Sequence, residues 1–224
     1  NTLNSLLFVN NITGYIGGTQ GYFGIVFRTT DAGTSWQLVY RDSLQINSIH
    51  FLNPNPGWAA GNSGAIIKTT NSGNSWVKTA ITTTPPISYM YVNDLFFINE
   101  NTGLIGGSGM FKTTNGGVNW YRVLVNTTQT IQFIGVTGFA ITSAAGNFMR
   151  STNMGENWIS YPTGGSYRGD MCFINTETGW INTSNIIRKT TNGGVNWNIQ
   201  NTDGNSIAVS SLFFIDENHG WVVG

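Results

Sequence analysis

The sequence predicts an all-β protein built from repeated four-stranded units, and three observations carry this prediction. A nine-residue motif occurs five times, and its closing tryptophans are separated by 40, 44, 38 and 39 residues. Each repeat contains four short segments of strand composition, divided by runs of Gly, Asn, Asp and Pro. No segment shows a sustained helical periodicity. Four short strands in each unit of about forty residues are typical of the blades of a β-propeller.

The motif runs from a basic residue to a tryptophan and reads KTTNGGVNW in the copy at residues 112–120. Its Asp or Asn is expected to form an Asx-turn by bonding the backbone two residues further on. The glycine two positions later is expected to adopt a positive φ, and the tryptophan to cover the hairpin. These structural roles fall on Asp31, Gly33, Trp36, Asn71, Gly73, Trp76, Asn115, Gly117, Trp120, Asn153, Gly155, Trp158, Asn192, Gly194 and Trp197.

The elements of a repeat follow one order. The first strand is apolar and ends in an aromatic residue, as in Leu95-Phe96-Phe97, and the turn after it closes on glycine. The second strand opens with a large residue such as Trp58 or Trp180. The third strand leads into the motif, and the fourth begins at the motif tryptophan. All eight tryptophans fit such positions, so we predict that they belong to the core.

These elements predict a single propeller domain over residues 1–224, with five complete blades and the first half of a sixth. The predicted blades are residues 5–44, 48–84, 93–128, 130–162 and 170–203, followed by the partial blade 210–224. We expect these blades to belong to a larger propeller of about six to eight blades. Alternatively, the half-blade offers an open edge that pairs with another chain.

Composition restricts the function. Charged residues make up 9% of the chain, against roughly 25% in ordinary soluble domains, and the positive and negative charges balance. So few basic residues argue against nucleic-acid binding, and no apolar run reaches the roughly 20 residues of a membrane span. The polar residues are mainly Asn, Thr, Ser and Gly, which predicts a secreted or cell-surface protein.

Neither a metal site nor a cofactor site is indicated. The single cysteine, Cys172, lies in an apolar run and is predicted to be buried, so a disulfide framework or a cysteine metal cluster is excluded. The two histidines have no metal-ligand spacing, and the chain has no phosphate-binding loop or nucleophile elbow. We therefore predict no cofactor and no metal.

The motif resembles the Asp-box (BNR) repeat of sialidase-type propellers. The longer unit F-x-N-x-x-T-G-W…G-x-I-x-K-T-T-N-G-G-x-x-W is similar to the repeats of the photosystem II stability/assembly factor-like family, and residues 173–180 with 189–197 match it best. This resemblance covers essentially the whole chain and implies a propeller with its boxes away from the ligand face. It implies no single function, because sialidases, xyloglucan-degrading endoglucanases, sorting receptors and assembly factors share the box.

Residues that do not serve the repeat are candidates for ligand binding. The five basic residues that open the motif share one position, so we predict that they are structural: Arg28, Lys68, Lys112, Arg150 and Lys189. Other residues lie in or beside the links from the fourth strand to the next first strand, which emerge on the ligand face in the propellers the chain resembles. Their rings and charges suit contacts with protein or glycan. They are Tyr40, Arg41, Tyr89, Tyr91, Tyr161, Tyr167 and Arg168.

Two acids, Asp94 and Asp170, are weak candidates for catalysis. Glycosidase chemistry usually needs two carboxyl groups facing one bond, and both acids open a first strand. Ser or Thr occupies that position in the other repeats, so a hydrogen-bonding role is favoured. The sequence therefore predicts a non-catalytic binding scaffold for a protein or glycan. The alternatives are a carbohydrate-active hydrolase of glycosidase or sialidase type, and an assembly subunit that pairs through the incomplete sixth blade.

Overall fold

The computed structural model describes residues 2–62, 64–84, 86–87, 90–143, 147–163, 169–183, 186–200 and 209–224. These residues form 23 β-strands, which confirms the all-β prediction. They divide into two compact units, Asn1–Arg122 and Val123–Gly224. None of the described residues forms a helix long and apolar enough to cross a membrane.

The first unit contains three sheets whose strands pair with their neighbours in the chain. The first sheet is β1 (Thr2–Phe8), β2 (Gly14–Gln20), β3 (Phe23–Thr29) and β4 (Gln37–Asp42). The second is β5 (Ile46–Phe51), β6 (Gly57–Gly61), β7 (Ala65–Thr69) and β8 (Val77–Ala80). The third is β10 (Val92–Phe97), β11 (Gly103–Gly107), β12 (Gly109–Thr113) and β13 (Trp120–Leu124). The short strand β9 (Thr83–Thr84) adds to this third sheet in parallel beside β13.

The second unit repeats the pattern. One sheet is β14 (Thr128–Ile134), β15 (Thr137–Thr142), β16 (Asn147–Ser151) and β17 (Ile159–Pro162). The next is β18 (Met171–Phe173), β19 (Gly179–Thr183), β20 (Ile186–Thr190) and β21 (Asn198–Ile199). The final pair is β22 (Ser211–Phe214) and β23 (Gly220–Val223). Each four-stranded sheet is an antiparallel meander, as expected of a blade, and blades are numbered below in chain order.

The Asp box between the third and fourth strands is organised by a buried hydroxyl group. In blade 3, Thr113 Oγ1 accepts the N–H groups of Asn115 (3.3 Å) and Gly117 (3.0 Å) and donates to Asn115 Oδ1 (3.0 Å). Asn115 Oδ1 also accepts the N–H of Asn119 at 2.9 Å. The predicted Asx-turn is therefore wrong in detail, because the side chain bonds the backbone four residues on. Blades 1, 2, 4 and 5 show the same four bonds.

Two successive left-handed residues curl the backbone and produce this spacing. The predicted positive φ at the second of them is confirmed, for example 96° at Gly117. The residue before it also has a positive φ in every copy, even where it is Ala32 (59°), Ser72 (55°) or Met154 (57°). A left-handed residue with a Cβ costs roughly 1–2 kcal/mol. The hydrogen bonds of the box offset this cost.

Rings stack between successive blades. Phe97 in blade 3 lies flat against Trp58 of blade 2, with 3.7 Å between the ring centroids and 5° between the planes. Trp120, from its own blade, meets the same ring edge-on at 6.1 Å and 82°. Equivalent stacks join Tyr15 to Phe51, Phe139 to Phe173, and Trp180 to Phe214. This packing explains why first strands end, and second strands open, with aromatic residues.

A second link runs from the middle of one first strand to the end of the next. His50 Nε2 lies 3.0 Å from Phe97 O, which can only accept, so the ring is the Nε2–H tautomer. Gln132 makes the same bond to Phe173 O at 2.8 Å. Cys172, buried as predicted, accepts the N–H of Phe214 at 3.3 Å, and burial raises the pKa of its thiol. These side chains tie neighbouring blades together through the backbone.

The His50 link predicts an acid-sensitive stability. Burial lowers the pKa of His50 to about 4, whereas an unfolded histidine titrates near 6.5. As the pH falls, the unfolded chain takes up this proton first, so stability is complete above about pH 6.5 and is lost down to about pH 4. We expect the free energy of unfolding to fall by about 1–3 kcal/mol across this window, measured by urea unfolding at pH 7.5 and 4.5.

The matched variant is His50→Gln, because Gln132 shows that glutamine makes the same bond. We expect this variant to keep its stability at pH 7.5 and to lose less of it at pH 4.5. An equal loss in the variant and the wild type would assign the acid sensitivity to other groups.

Candidate functional site

Each of the two candidate catalytic acids forms a hydrogen bond between the first strand of its own blade and the first strand of a neighbouring blade. Asp170 Oδ2 accepts the hydroxyl of Ser211 at 2.6 Å and the N–H of Leu212 at 3.2 Å. Asp94 Oδ1 accepts the hydroxyl of Ser48 at 2.7 Å. Each carboxylate also accepts the N–H of the residue that follows it, at 2.9 Å. Both side chains are thereby oriented by the backbone of the sheets.

Serine makes the same link in other blades, so the position requires an acceptor and not an acid. Ser5 Oγ accepts the N–H of Ile49 at 3.2 Å, and Ser48 Oγ accepts that of Leu95 at 3.3 Å. These bonds match the bond from Leu212 to Asp170. The geometry supports the hydrogen-bonding interpretation of this position.

Hydrogen bonds lower the pKa values of three other carboxyl groups, none of which is a catalytic candidate. Hydrogen bonds from Ser35 and Thr29 hold the pKa of Asp31 at about 2. The Ser43 backbone N–H and Lys78 do the same for Asp42. The Asn218 N–H and His219 lower the pKa of Asp216. A glycosidase general acid needs a raised pKa, and these three groups are pushed the opposite way.

Tyr40 and Arg41, two ligand-binding candidates of the first unit, do not face one site. Tyr40 and Arg41 are adjacent in β4, so they point to opposite faces of the sheet. Arg41 lies over the Phe23 ring at 4.5 Å from its centroid. Tyr40 donates to Asp42 Oδ2 at 3.3 Å, and burial, helped by this carboxylate, raises the pKa of the tyrosine. Both side chains therefore interact with neighbouring residues of their own sheet.

Two of the remaining candidates, Tyr91 and Tyr161, lie within the described residues. Tyr91 precedes β10, and its N–H donates to Ser108 Oγ at 3.2 Å. Tyr161 is half-buried within β17. Tyr89, Tyr167 and Arg168 lie outside the described residues.

In the second unit, Tyr161 and Arg150 line the same cavity of about 350 Å³. Ile159 and Tyr161 alternate along β17 and therefore face the same side, and Asn157 lines the cavity from the bend before this strand. Tyr161 is half-buried, and Ile159 is exposed. We call this cavity the blade-4 groove. Its lining residues are Arg150, Thr152, Asn153, Asn157, Ile159 and Tyr161.

Arg150 brings a cation to the groove, and in the described part of the chain its side chain has no hydrogen-bond partner. Its guanidinium lies against the Asp box of blade 5, where a Cβ added to Gly193 would be 2.6 Å from Nη1. Arg150 Nε is buried without a hydrogen-bond partner among the described residues, as is the Nε of the corresponding Arg28. In blade 1 the corresponding Arg28 Nη1 donates to Asn74 Oδ1 of the next box at 2.7 Å. Blade 5 has Val195 at the position of Asn74, and a valine side chain cannot accept a hydrogen bond.

No hydrogen bond or ion pair is seen for the Arg150 side chain within the described part of the chain. From its repeat position, the sequence predicts only a structural role for Arg150. The sequence does carry a signal for this difference: the next repeat has Val195 at the position where Asn74 accepts the bond from Arg28.

Blade 2 contains a smaller counterpart of the groove. Lys68 takes the place of Arg150, Val77 that of Ile159 and Thr79 that of Tyr161, around a cavity of about 150 Å³. The following box again has a valine, Val118, at the position of Asn74. Lys68 differs from Arg150 because its ammonium lies over the Trp58 ring at 5.1 Å. Among the residues described, no cluster of His, Cys, Asp or Glu could hold a metal ion.

Antiparallel four-stranded sheets, each with an Asp box between its third and fourth strands, define an Asp-box β-propeller. The family model described as "Photosynthesis system II assembly factor YCF48" matches residues 1–168. The chain belongs to this family, which confirms the resemblance drawn from the repeat.

Solved structures confirm the propeller fold. YCF48 from Cyanidioschyzon merolae superposes with a TM-score of 0.76 at 17% identity, covering 98% of this chain and 78% of that one. A structure described as YCF48 bound to D1 peptide gives 0.59 at 14% identity, with 99% and 89% covered. The GH74 enzyme of Niastella koreensis gives 0.74 at 14% identity, covering 94% of this chain but 42% of the enzyme. No sequence match was found among curated proteins.

Proposed function

We propose that this propeller is a non-catalytic scaffold that binds a polypeptide ligand. The observation that carries the proposal is the use of Asp94 and Asp170 as links between strands, a role that serine fills in other blades. A catalytic pair must instead face a substrate bond. Membership of the YCF48 family supports a binding role, and the similar YCF48 with its bound D1 peptide supports a polypeptide as the ligand.

The test combines Asp94→Ser and Asp170→Ser in the full chain, since serine preserves the hydroxyl acceptor found at Ser5 and Ser48. We expect wild type and double variant to bind the same members of a peptide array. We also expect both to leave a panel of fluorogenic glycosides intact between pH 4 and 8. Glycoside cleavage by the wild type that disappears in the double variant would overturn the proposal and establish the hydrolase. That alternative draws its support from the similarity to GH74 enzymes.

A second candidate function is self-association through β22 and β23. Trp221 is 58% exposed, which contradicts the prediction that all tryptophans are core. The equivalent Trp58 and Trp180 are buried because each stacks on a phenylalanine of the following blade. Sedimentation that depends on concentration, and that is abolished in Trp221→Ser, would support this role; a monomer at every concentration would contradict it.

We further propose that the protein acts at the cell surface or after secretion, on the basis of its low charge and its content of Asn, Thr, Ser and Gly. Fractionation of the native cells tests this location. Recovery in the cytoplasmic fraction would contradict it.

A further inference from the structure

We infer that the blade-4 groove binds an acidic peptide segment, with a glutamate or aspartate side chain paired to Arg150. This inference rests on the proposed function and gives it a place and a ligand chemistry. It assigns Arg150, Asn157 and Tyr161 to recognition of the ligand.

The first step is the charge. A guanidinium that is partly removed from water and has no polar partner loses hydration without compensation. Arg28 Nη1 offsets part of this loss by donating to Asn74, although Arg28 Nε is also buried without a partner, whereas Val195 offers Arg150 no such acceptor. Because Arg150 Nε is enclosed, a carboxylate entering the groove would accept charge-assisted N–H bonds from the terminal Nη groups of the guanidinium. Because Val195 cannot accept a hydrogen bond from Arg150, the groove favours a ligand with an anionic group.

The second step is the shape. The four residues of β17 extend over about 13 Å with Ile159 and Tyr161 on one face, and Asn157 lines the cavity from the bend before the strand. An extended peptide of about four residues matches this length, and its apolar side chains can contact Ile159 and the Tyr161 ring. Asn157 can bond the peptide backbone. A cavity of about 350 Å³ is large enough for a few side chains.

The third step is an example within the same chain. The fourth strand of blade 3, β13, carries the short strand β9 along its edge in parallel register, with Thr83 beside Trp120 and Thr84 beside Tyr121. With this segment in place Trp120 is 1% exposed, whereas the equivalent Trp158 of blade 4 is only half-buried. In the described part of the chain, β17 has no strand on its outer side. A fourth strand of this fold thus accepts an extended segment, and β17 is open to one.

The experiment is a titration of the isotope-labelled full chain, observed by NMR at the Arg150 side-chain N–H and the Asn157 to Tyr161 amides. The probes are acetyl-Gly-Val-Glu-Val-Gly-amide, its glutamine analogue, and sodium glucuronate. We expect the glutamate peptide to move these signals and to bind about tenfold more tightly than the glutamine peptide. We expect its affinity to weaken with added salt.

Three variants locate the effect. Arg150→Gln is expected to weaken the glutamate peptide about tenfold. Val195→Asn restores the partner that Asn74 provides to Arg28 and is expected to compete with the ligand, weakening it about threefold or more without removing Arg150. Lys68→Gln, in the smaller blade-2 groove, is the matched control and is expected to change nothing.

Equal binding of the glutamate and glutamine peptides, or unchanged affinity in Val195→Asn, would overturn the inference. Glucuronate binding at these signals as tightly as the peptide would overturn the choice of a peptide ligand. Peptide binding that shifts only the signals of residues outside the groove would show that the peptide binds at another site, while leaving the proposed function intact. Failure of every array peptide to bind would remove both.

Discussion

Replacing Phe97 with alanine is expected to lower the free energy of unfolding by about 3–5 kcal/mol, because it removes a fully buried ring from between two others. Trp58 covers one face of this ring and Trp120 meets its edge. The loss of one side chain therefore opens a cavity in blade 3 and also breaks the stack from blade 2. Urea unfolding followed by tryptophan fluorescence measures the change.

Phe8 provides the matched control, since it occupies the same repeat position in blade 1. It meets Trp36 edge-on at 6.1 Å but is 42% exposed. We expect Phe8→Ala to cost about 1–2 kcal/mol, because a partly exposed ring loses less apolar burial. Similar costs for the two substitutions would show that stacking between blades contributes little.

Replacing Thr113 with valine is expected to cost about 2–4 kcal/mol, although valine has nearly the same shape. The hydroxyl of Thr113 accepts two backbone N–H groups and donates to Asn115, and the residue is completely buried. Valine leaves the Gly117 N–H buried without a partner, and the left-handed turn loses the bonds that offset its strain. Chemical unfolding of the two proteins at neutral pH measures the difference.

The conservative control is Thr113→Ser, because blade 4 uses Ser151 in this position. Ser151 Oγ accepts the N–H groups of Asn153 and Gly155 at 3.3 and 2.9 Å. We expect the serine variant to lose only the burial of one methyl group, about 1 kcal/mol. A serine variant as unstable as the valine variant would show that packing of the methyl group, and not the hydroxyl, holds the box.

Most of the fold could be predicted because its signals are local and repeated. The glycines with positive φ, the aromatic residues at strand ends and the order of the four strands all follow from short-range sequence. Five copies of the box make each of these signals visible. The hydrogen bonds within the box were predicted less well, because a left-handed Ala32 or Met154 is not expected from residue type.

The candidate site is predicted only in part, since the sequence points to Tyr161 as a ligand-binding residue but to Arg150, which lines the same cavity, as part of the scaffold. By itself the sequence determined the repeat, the strand order and the identity of each residue in the shared positions. The tertiary structure alone decided which of those equivalent residues find a hydrogen-bond partner. Arg28 meets Asn74 whereas Arg150 meets a box that carries Val195, and Asp170 meets Ser211. The physical reason is that each such partner comes from the next blade, about forty residues away, so chemically identical positions acquire different environments.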